Sequence, residues 1–422
     1  MHMIAGNGLQ MLSKHAYQPD ELDFFAEFLR FLRNCCAGSP TNQYFIMSSN
    51  TVFNFAKKIV TYFLQRTGEK EIAVLKCCVQ LFGNLLCTGS ESKPVVWQLF
   101  FEDKTFIYLF QNEDKKVQEY SMMVLYNCMS EESSRTIVNT KEGQEILIAV
   151  TNSLCVDLID WGILFLELIM KQGDFMDKCY NILPLKNRLL VLDVIAEQLN
   201  NAQENSYFFV PNASIRHIKD LFIKYVLNIV QVSNSEAADL KSMEIVKMLC
   251  ILCSASVSDV YSSVLKTSPD LIESSLDTLK SIHLLGKKSC NAFSCISSLK
   301  LTNAVSKEEI ECHPSFGFKK NLIRLIGNLC YNCKENQDLV RRLDGISLLL
   351  DCCNLDARNP FIMQWCILAI RNILENNPEN QAILAGISVT GDLVDSALIR
   401  ELGFQVHSEN GKFVLRSTQC FS

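Results

Sequence analysis

The sequence predicts an all-α protein of stacked helical repeats, an α-solenoid, and three observations predict it. Apolar residues recur at helical spacing in segment after segment along the 422 residues. Glycine (17) and proline (9) are both scarce, which leaves few turns and long helices. One short phrase returns at intervals of 43 to 50 residues, the signature of an array whose units bury their faces only against each other.

Taken in order, the first long helix carries two stripes, Leu22, Phe25, Leu29, Leu32 and Cys36 beside Phe24, Phe28, Phe31 and Cys35, and a helix apolar on two faces is expected to be sandwiched. Val117, Ser121, Val124, Leu125 and Cys128 form a further helical face. Amphipathic segments continue through 189–199, 218–230 and 240–253. Near the carboxy end, Leu322, Leu325, Ile326, Leu329, Cys330 and Cys333 follow the i, i+3, i+4, i+7 rule, as do Met363, Cys366, Ile367, Ile370 and Leu374. The repeat core is therefore placed on Leu32, Leu325, Leu329, Ile367 and Ile370.

The recurring phrase is an apolar helix end, an Asn, two apolar or Cys residues, a polar turn and then Asn-Gln. It reads Asn34-Cys35-Cys36 with Asn42-Gln43, Asn328-Leu329-Cys330 with Asn336-Gln337, and Asn372-Ile373-Leu374 with Asn380-Gln381, and in each copy Gln follows the first Asn by nine residues. Weaker copies stand at Asn84 and Asn127, giving spacings of 50 and 43 residues early and 44 late, the period of armadillo and HEAT repeats. Gly345 is expected to permit a sharp corner into the next helix. Between Asn127 and Asn328 the phrase is lost, and degenerate repeats are expected there.

The resulting division is an amino-terminal segment over 1–21, repeats over 22–286 (degenerate after about 140), a mobile loop over 287–317, carboxy-terminal repeats over 318–402, and a hairpin and tail over 403–422. Asn410-Gly411 between alternating strands predicts a type I′ turn.

Charge and cysteine usage narrow the function. Forty Lys+Arg against 46 Asp+Glu, with no basic run, argue against a nucleic-acid binder. Residues 1–10 lack the basic start and apolar core of a secretory signal, and 161–170, the most apolar stretch, is too short for a membrane span, so a cytoplasmic, non-inserted protein is expected. Nineteen cysteines then read as reduced thiols among Leu, Ile and Val. The pairs Cys250/Cys253 and Cys330/Cys333, with Cys352 and Cys353 beyond, approach zinc spacing, yet they fall on helix-periodic faces, which favours buried thiols over a metal.

No phosphate-binding, zinc-protease or nucleophile-elbow motif is present, and His217 and His283 lie in or beside helical segments, so no catalytic, cofactor or metal residue is assigned. The alternative is a peptide groove of the nuclear-import kind, which pairs Trp with Asn one helical turn later. Four residues before the repeat Asn, however, stand Arg30, Gln80, Met123, Arg324 and Leu368. An unrecognised enzyme is a remote alternative. The residues kept as a partner surface are Asn34, Asn84, Asn328, Asn372, Arg324 and Arg371, although the asparagines have a structural reading too, bonding backbone at a helix end.

The stretch Asn321-Leu322-Ile323-Arg324-Leu325-Ile326-Gly327-Asn328-Leu329-Cys330-Tyr331, with Lys334-Glu335-Asn336-Gln337-Asp338, Leu343-Asp344-Gly345-Ile346 and Asn359-Pro360-Phe361, resembles the ataxin-10 family. The likeness extends to Leu32 through Gln43, to Gln80 through Asn84 with Val95-Val96-Trp97, and to Leu402-Gly403-Phe404, but not to the region before about Leu22, where family members carry a longer helical region. The resemblance implies a non-catalytic, self-associating, armadillo-like protein of the perinuclear cytoplasm, midbody and centrosome or basal body. It also implies roles in cytokinesis, neurite outgrowth and neuronal survival, with O-linked N-acetylglucosamine transferase, a G-protein β subunit and mitotic kinases as partners.

Overall fold

A computed structural model describes residues 19–87, 92–201, 210–231, 236–288, 291–296, 307–386, 388–389, 404–409 and 412–417. Most of the segment 1–21, the turn at 410–411 and the stretch 297–306 lie outside the described residues. Helices dominate, and the chain divides into two compact units, 1–194 and 195–422. Each is a stack of helices of the all-α, armadillo-like solenoid class.

The first unit contains α1 (Pro19–Cys36), α2 (Pro40–Ser48), α3 (Asn50–Phe63), α4 (Glu69–Leu85), α5 (Ser92–Phe101), α6 (Thr105–Phe110), α7 (Lys115–Cys128), α8 (Glu131–Asn139), α9 (Lys141–Leu154), α10 (Asp160–Met170) and α11 (Phe175–Cys179). The long helices of successive repeats pack in series, α1 on α4, α4 on α7 and α7 on α10. Their filling is aromatic: Phe25, Phe55, Phe63, Phe82, Phe100 and Phe106 are fully buried, with Phe25 against Phe55 at 5.9 Å and Phe82 edge-on to Phe100 at 5.1 Å. The stripe Phe25, Leu29, Leu32 and Cys36 is buried, whereas the second stripe is only partly covered, since Phe31 is 51% exposed. The expectation of a fully sandwiched α1 is thus corrected: its second face looks outward at the carboxy-terminal end.

Helix α12 (Leu185–Asn201) contains the unit boundary. The second unit continues with α13 (Asn212–Tyr225), α14 (Glu236–Ala255), α15 (Ser262–Lys266), α16 (Pro269–Lys288), α17 (Lys307–Cys312), α18 (Phe318–Cys330), α19 (Lys334–Arg342), α20 (Gly345–Asp351), α21 (Ile362–Leu374) and α22 (Pro378–Gly386). Here α14, α18 and α21 pack in series, with α16 against α18 and α19. Leu322, Ile323, Leu325, Ile326 and Leu329 are all fully buried on α18, each contributing about 1.5–3 kcal/mol of apolar burial. On α21, Ile370 is buried and Ile367 half-buried.

One glycine sets the spacing of these two helices. A Cβ on Gly327 would fall 2.8 Å from the Ala369 Cα, so α18 and α21 touch backbone to backbone. The corresponding Gly83 on α4 faces side chains instead, where a Cβ would meet the Met123 Cε and lie 3.9 Å from the Val124 Cγ2. At the corner before α20 it is Asp344 that takes the left-handed conformation (φ 56°), while Gly345 is required because Val340 and Leu276 crowd its Cα.

The expected mobile loop over 287–317 is corrected by its described residues. Helix α16 continues through Lys288, α17 occupies Lys307–Cys312, and 291–296 is fastened from residues sixty or more positions away. Arg358 donates to the Asn291 and Ser294 carbonyls, both at 2.7 Å, and the Ala357 N–H donates to the Ile296 carbonyl at 2.8 Å. At the carboxy end, β1 (Ser388–Val389), β2 (Phe404–Glu409) and β3 (Lys412–Ser417) form an antiparallel sheet in the order β1-β3-β2, with Glu409 opposite Lys412. The sequence pattern has β2 and β3 but carries no signal for the two-residue β1.

Candidate functional site

The recurring phrase becomes a joint. In its three full copies the long helix ends two residues after the repeat Asn, and a left-handed residue follows at the fourth position, namely Gly38, Asn332 and Asn376 (φ 67°, 50° and 51°). Glycine and asparagine tolerate that conformation at least cost. The next helix begins two residues later, at Pro40, Lys334 and Pro378.

Its Asn-Gln pair then reaches back seven residues to the carbonyls left open at the end of the long helix. Asn42 donates to Cys35 and Gln43 to Cys36 at 2.8 and 2.9 Å. Asn336 and Gln337 do the same to Leu329 and Cys330 at 2.9 and 3.2 Å. Asn380 and Gln381 repeat it on Ile373 and Leu374 at 2.8 and 2.9 Å. The constant nine-residue spacing was the sequence signal for this geometry; the sequence alone did not identify the pair as donors.

Three of the repeat asparagines tie one repeat to another. Asn84 donates to the Arg33 carbonyl at 2.9 Å and Asn372 to the Gly327 carbonyl at 2.9 Å; in both pairs the acceptor immediately precedes the Asn of the preceding copy. Asn328, buried, donates to the Ser256 hydroxyl at 2.9 Å. Asn34 is exposed and accepts from the guanidinium of its neighbour Arg33 at 3.0 Å. In the degenerate middle, Asn187 supplies a joint that the phrase does not announce, donating to Thr151 Oγ1 and Asn152 Oδ1 at 2.8 and 2.7 Å.

In the second unit a wider network surrounds Gln337. Its amide also donates to the Asn372 and Glu375 carbonyls at 2.8 and 3.3 Å, and its Oε1 accepts from Asn377 at 3.1 Å. Asn377 and Asn380 are fully buried, and Arg341 reaches the Asn380 Oδ1 at 2.7 Å and Asp338 at 2.9 Å. The hydrogen bond from Asn377, aided by Arg341, holds the Asp338 carboxyl below its usual range. Sequence reasoning missed Asp338, Arg341 and Asn377, whose partners lie 39 or so residues apart.

A second cluster joins α16, α18 and the end of α20. His283, buried, is bonded through Nε2 to Asp351 at 2.8 Å and through Nδ1 to the Lys319 ammonium at 2.8 Å, with the Cys352 thiol 3.6 Å from the same nitrogen. Burial pushes the Cys352 thiol up to about 11 and lowers His283 against the raising effect of its hydrogen bond to Asp351. Burial likewise pushes the Cys36, Cys179 and Cys253 thiols up to about 12. Among the described residues, no group of three His, Cys, Asp or Glu is placed to hold a metal ion.

The remaining predicted residues, Arg324 and Arg371, lie on the outward faces of α18 and α21, Arg324 half-buried and Arg371 exposed. The Arg324 guanidinium lies over the Trp365 ring, 5.0 Å from its centroid. The indole is therefore covered by the chain's own cation, unlike the open indoles of a nuclear-import groove. Lys320, Arg324 and Lys247 all act on the Cys250 thiol as positive charges, opposing the upward push of burial.

These features define a class: an armadillo-like helical-repeat protein whose repeat asparagines serve its own joints, with side chains between the joints left facing outward. A family profile described as "Spinocerebellar ataxia type 10 protein domain" matches residues 318–416. Ataxin-10 of Xenopus tropicalis is 31% identical over 402 residues, covering 93% of this chain and 81% of the relative, and ataxin-10 of Homo sapiens is 30% identical over 414 residues, covering 94% and 83%. Among solved structures, a designed armadillo repeat protein aligns with 75% of this chain and 99% of its own at 12% identity and a TM-score of 0.22. The chain belongs to the ataxin-10 family. Among the described residues, no helix is long and apolar enough to cross a membrane.

Proposed function

We propose that the chain is a non-enzymatic scaffold that presents its stacked helices to other proteins. The observation that supports this most directly is the joint. Asn84, Asn328 and Asn372 fasten neighbouring repeats, so each stack is a framework in its own right and its outward faces are available for partners. Membership of the ataxin-10 family supports the finer reading: a cytoplasmic adaptor in cytokinesis and neurite outgrowth that engages O-linked N-acetylglucosamine transferase, a G-protein β subunit and mitotic kinases. We assign self-association to the carboxy-terminal repeats, within the family domain at 318–416.

The test is affinity capture of the tagged chain from dividing cells, quantified by mass spectrometry against a Leu325→Asp control, together with light scattering of the purified chain. Recovery of the glycosyltransferase or the kinases by the intact chain only, and a mass above one chain, are the expected results. Recovery of those proteins in equal amounts by the control, or a strictly monomeric chain that retains none of them, overturns the reading.

A further inference from the structure

The outward face shared by α14, α18 and α21 differs from the rest of an acidic chain (formal net charge −6) in gathering cations. Lys320 and Arg324 stand one turn apart on α18, close to Lys247 on α14, and Arg371 lies at the carboxy-terminal end of α21. Among the described residues, no carboxylate forms an ion pair with Lys320, Arg324 or Arg371.

Arg324 is the centre of this face and is already held in place. Its guanidinium lies on the Trp365 ring, and among the described residues its Nε is closed to solvent without a hydrogen-bond partner, so that a ligand is met through the two Nη nitrogens. A guanidinium fixed on an indole presents a rigid, planar donor pair that matches a carboxylate, with its rotamer freedom already lost. Leu368, exposed on α21 one turn beyond Trp365, adds an apolar contact beside it. A surface kept only for solvation has no need of an arginine locked in this way, since a mobile cation is equally soluble.

We propose that the Lys320, Arg324, Trp365 and Arg371 face binds an extended acidic segment of a partner protein, with Arg324 receiving an Asp or Glu side chain. This rests on the scaffold reading above and names the chemistry of one of its contacts. The charge complementarity is the argument for the occupant: Lys320 and Arg324 on α18 and Arg371 on α21, which form no ion pair among the described residues, favour a run of carboxylates, and the exposed Leu368 favours a peptide over a free anion.

The test uses the full chain and a fluorescein-labelled dodecapeptide of mixed Asp and Glu with one Leu, followed by anisotropy, with the indole resonance of Trp365 (assigned through Trp365→Phe) as a local reporter. Expected is salt-sensitive binding that shifts that resonance, with affinity reduced at least tenfold in Arg324→Gln and severalfold in Lys320→Gln/Arg371→Gln. Lys115→Gln/Lys116→Gln in the first unit is expected to leave binding unchanged.

The double variant keeps the test open should Arg324→Gln melt early, because Lys320 and Arg371 are not buried. No binding, equal loss in the Lys115/Lys116 control, or binding of a phosphoserine peptide lacking carboxylates in preference to the Asp/Glu peptide overturns the proposal. A peptide that fails while the transferase is still captured removes this face and leaves the scaffold reading standing; a peptide that binds while nothing is captured does the reverse.

Discussion

The joints at Gln43 and Gln337 are written with the same phrase and are tied very differently. Gln43 donates to the Cys36 carbonyl, and among the described residues its buried Oε1 has no partner. Gln337 bonds three carbonyls and receives Asn377 on its Oε1, inside a network that includes Asp338, Arg341 and Asn380. What completes the second joint is Asn377, five residues after the repeat Asn of the copy stacked on Gln337, which supplies the donor to its Oε1. An incomplete polar joint stabilises less than a complete one, because an unpaired buried oxygen retains its full desolvation cost.

The most severe way to break the carboxy-terminal joint is to charge the helix that carries it. Leu325→Asp places a carboxylate on a fully buried face, and loss of cooperative folding across 318–374 is expected, read as hydrogen exchange in those peptides. Wild-type protection there would remove α18 from the core. The direct comparison is Gln337→Ala against Gln43→Ala, with an expected cost of about 2–3 kcal/mol for the first and about 1 kcal/mol for the second. Urea melts giving the opposite order would refute the network argument.

Asn328→Ala removes one buried bond, to Ser256, and is expected to cost about 1–2 kcal/mol while leaving partner capture intact. Lost capture with an unchanged melt would turn Asn328 back into a contact residue.

A smaller and pH-dependent effect sharpens the same contrast, because the His283 cluster belongs to the second unit. Burial lowers His283 from its ordinary 6.5, Asp351 opposes that, and Lys319 adds to it. The unfolded chain therefore binds the extra proton first as pH falls. Stability is complete above 6.5 and declines on acidification through the lowered folded value. Asp351, held low chiefly by Lys287, adds a loss in the same direction below 3.8. The urea midpoint of the second unit is expected to fall between pH 7.5 and 5, and to fall less in His283→Gln. Identical pH slopes in the two proteins would rule the histidine out.

What could be read from the residues was local. Leu325, Leu329 and Ile370 follow a helical period, and burial at those positions needs nothing beyond it. The repeat Asn and the Asn-Gln pair were visible as a spacing, but their roles depend on a left-handed residue that two of the three copies place on asparagine instead of glycine. Residues 287–317 read as loose chain from their Ser, Lys and Cys and the pair His313-Pro314, yet Arg358 fastens 291–296 within them, and no local pattern encodes a partner 64 positions away. Arg324 was singled out by its place before Asn328, whereas its contact with Trp365 arises only when α18 and α21 stack.

The two glycines that separate the long helices have a mechanical consequence. At Gly327 the facing surface is the Ala369 backbone, which cannot yield without moving a helix, so that junction behaves as a stiff contact. At Gly83 the facing atom ends a methionine side chain with three rotatable bonds, which can swing aside and let the helices tilt. Of these two junctions, the one between α4 and α7 is expected to yield more readily under tension than the one between α18 and α21.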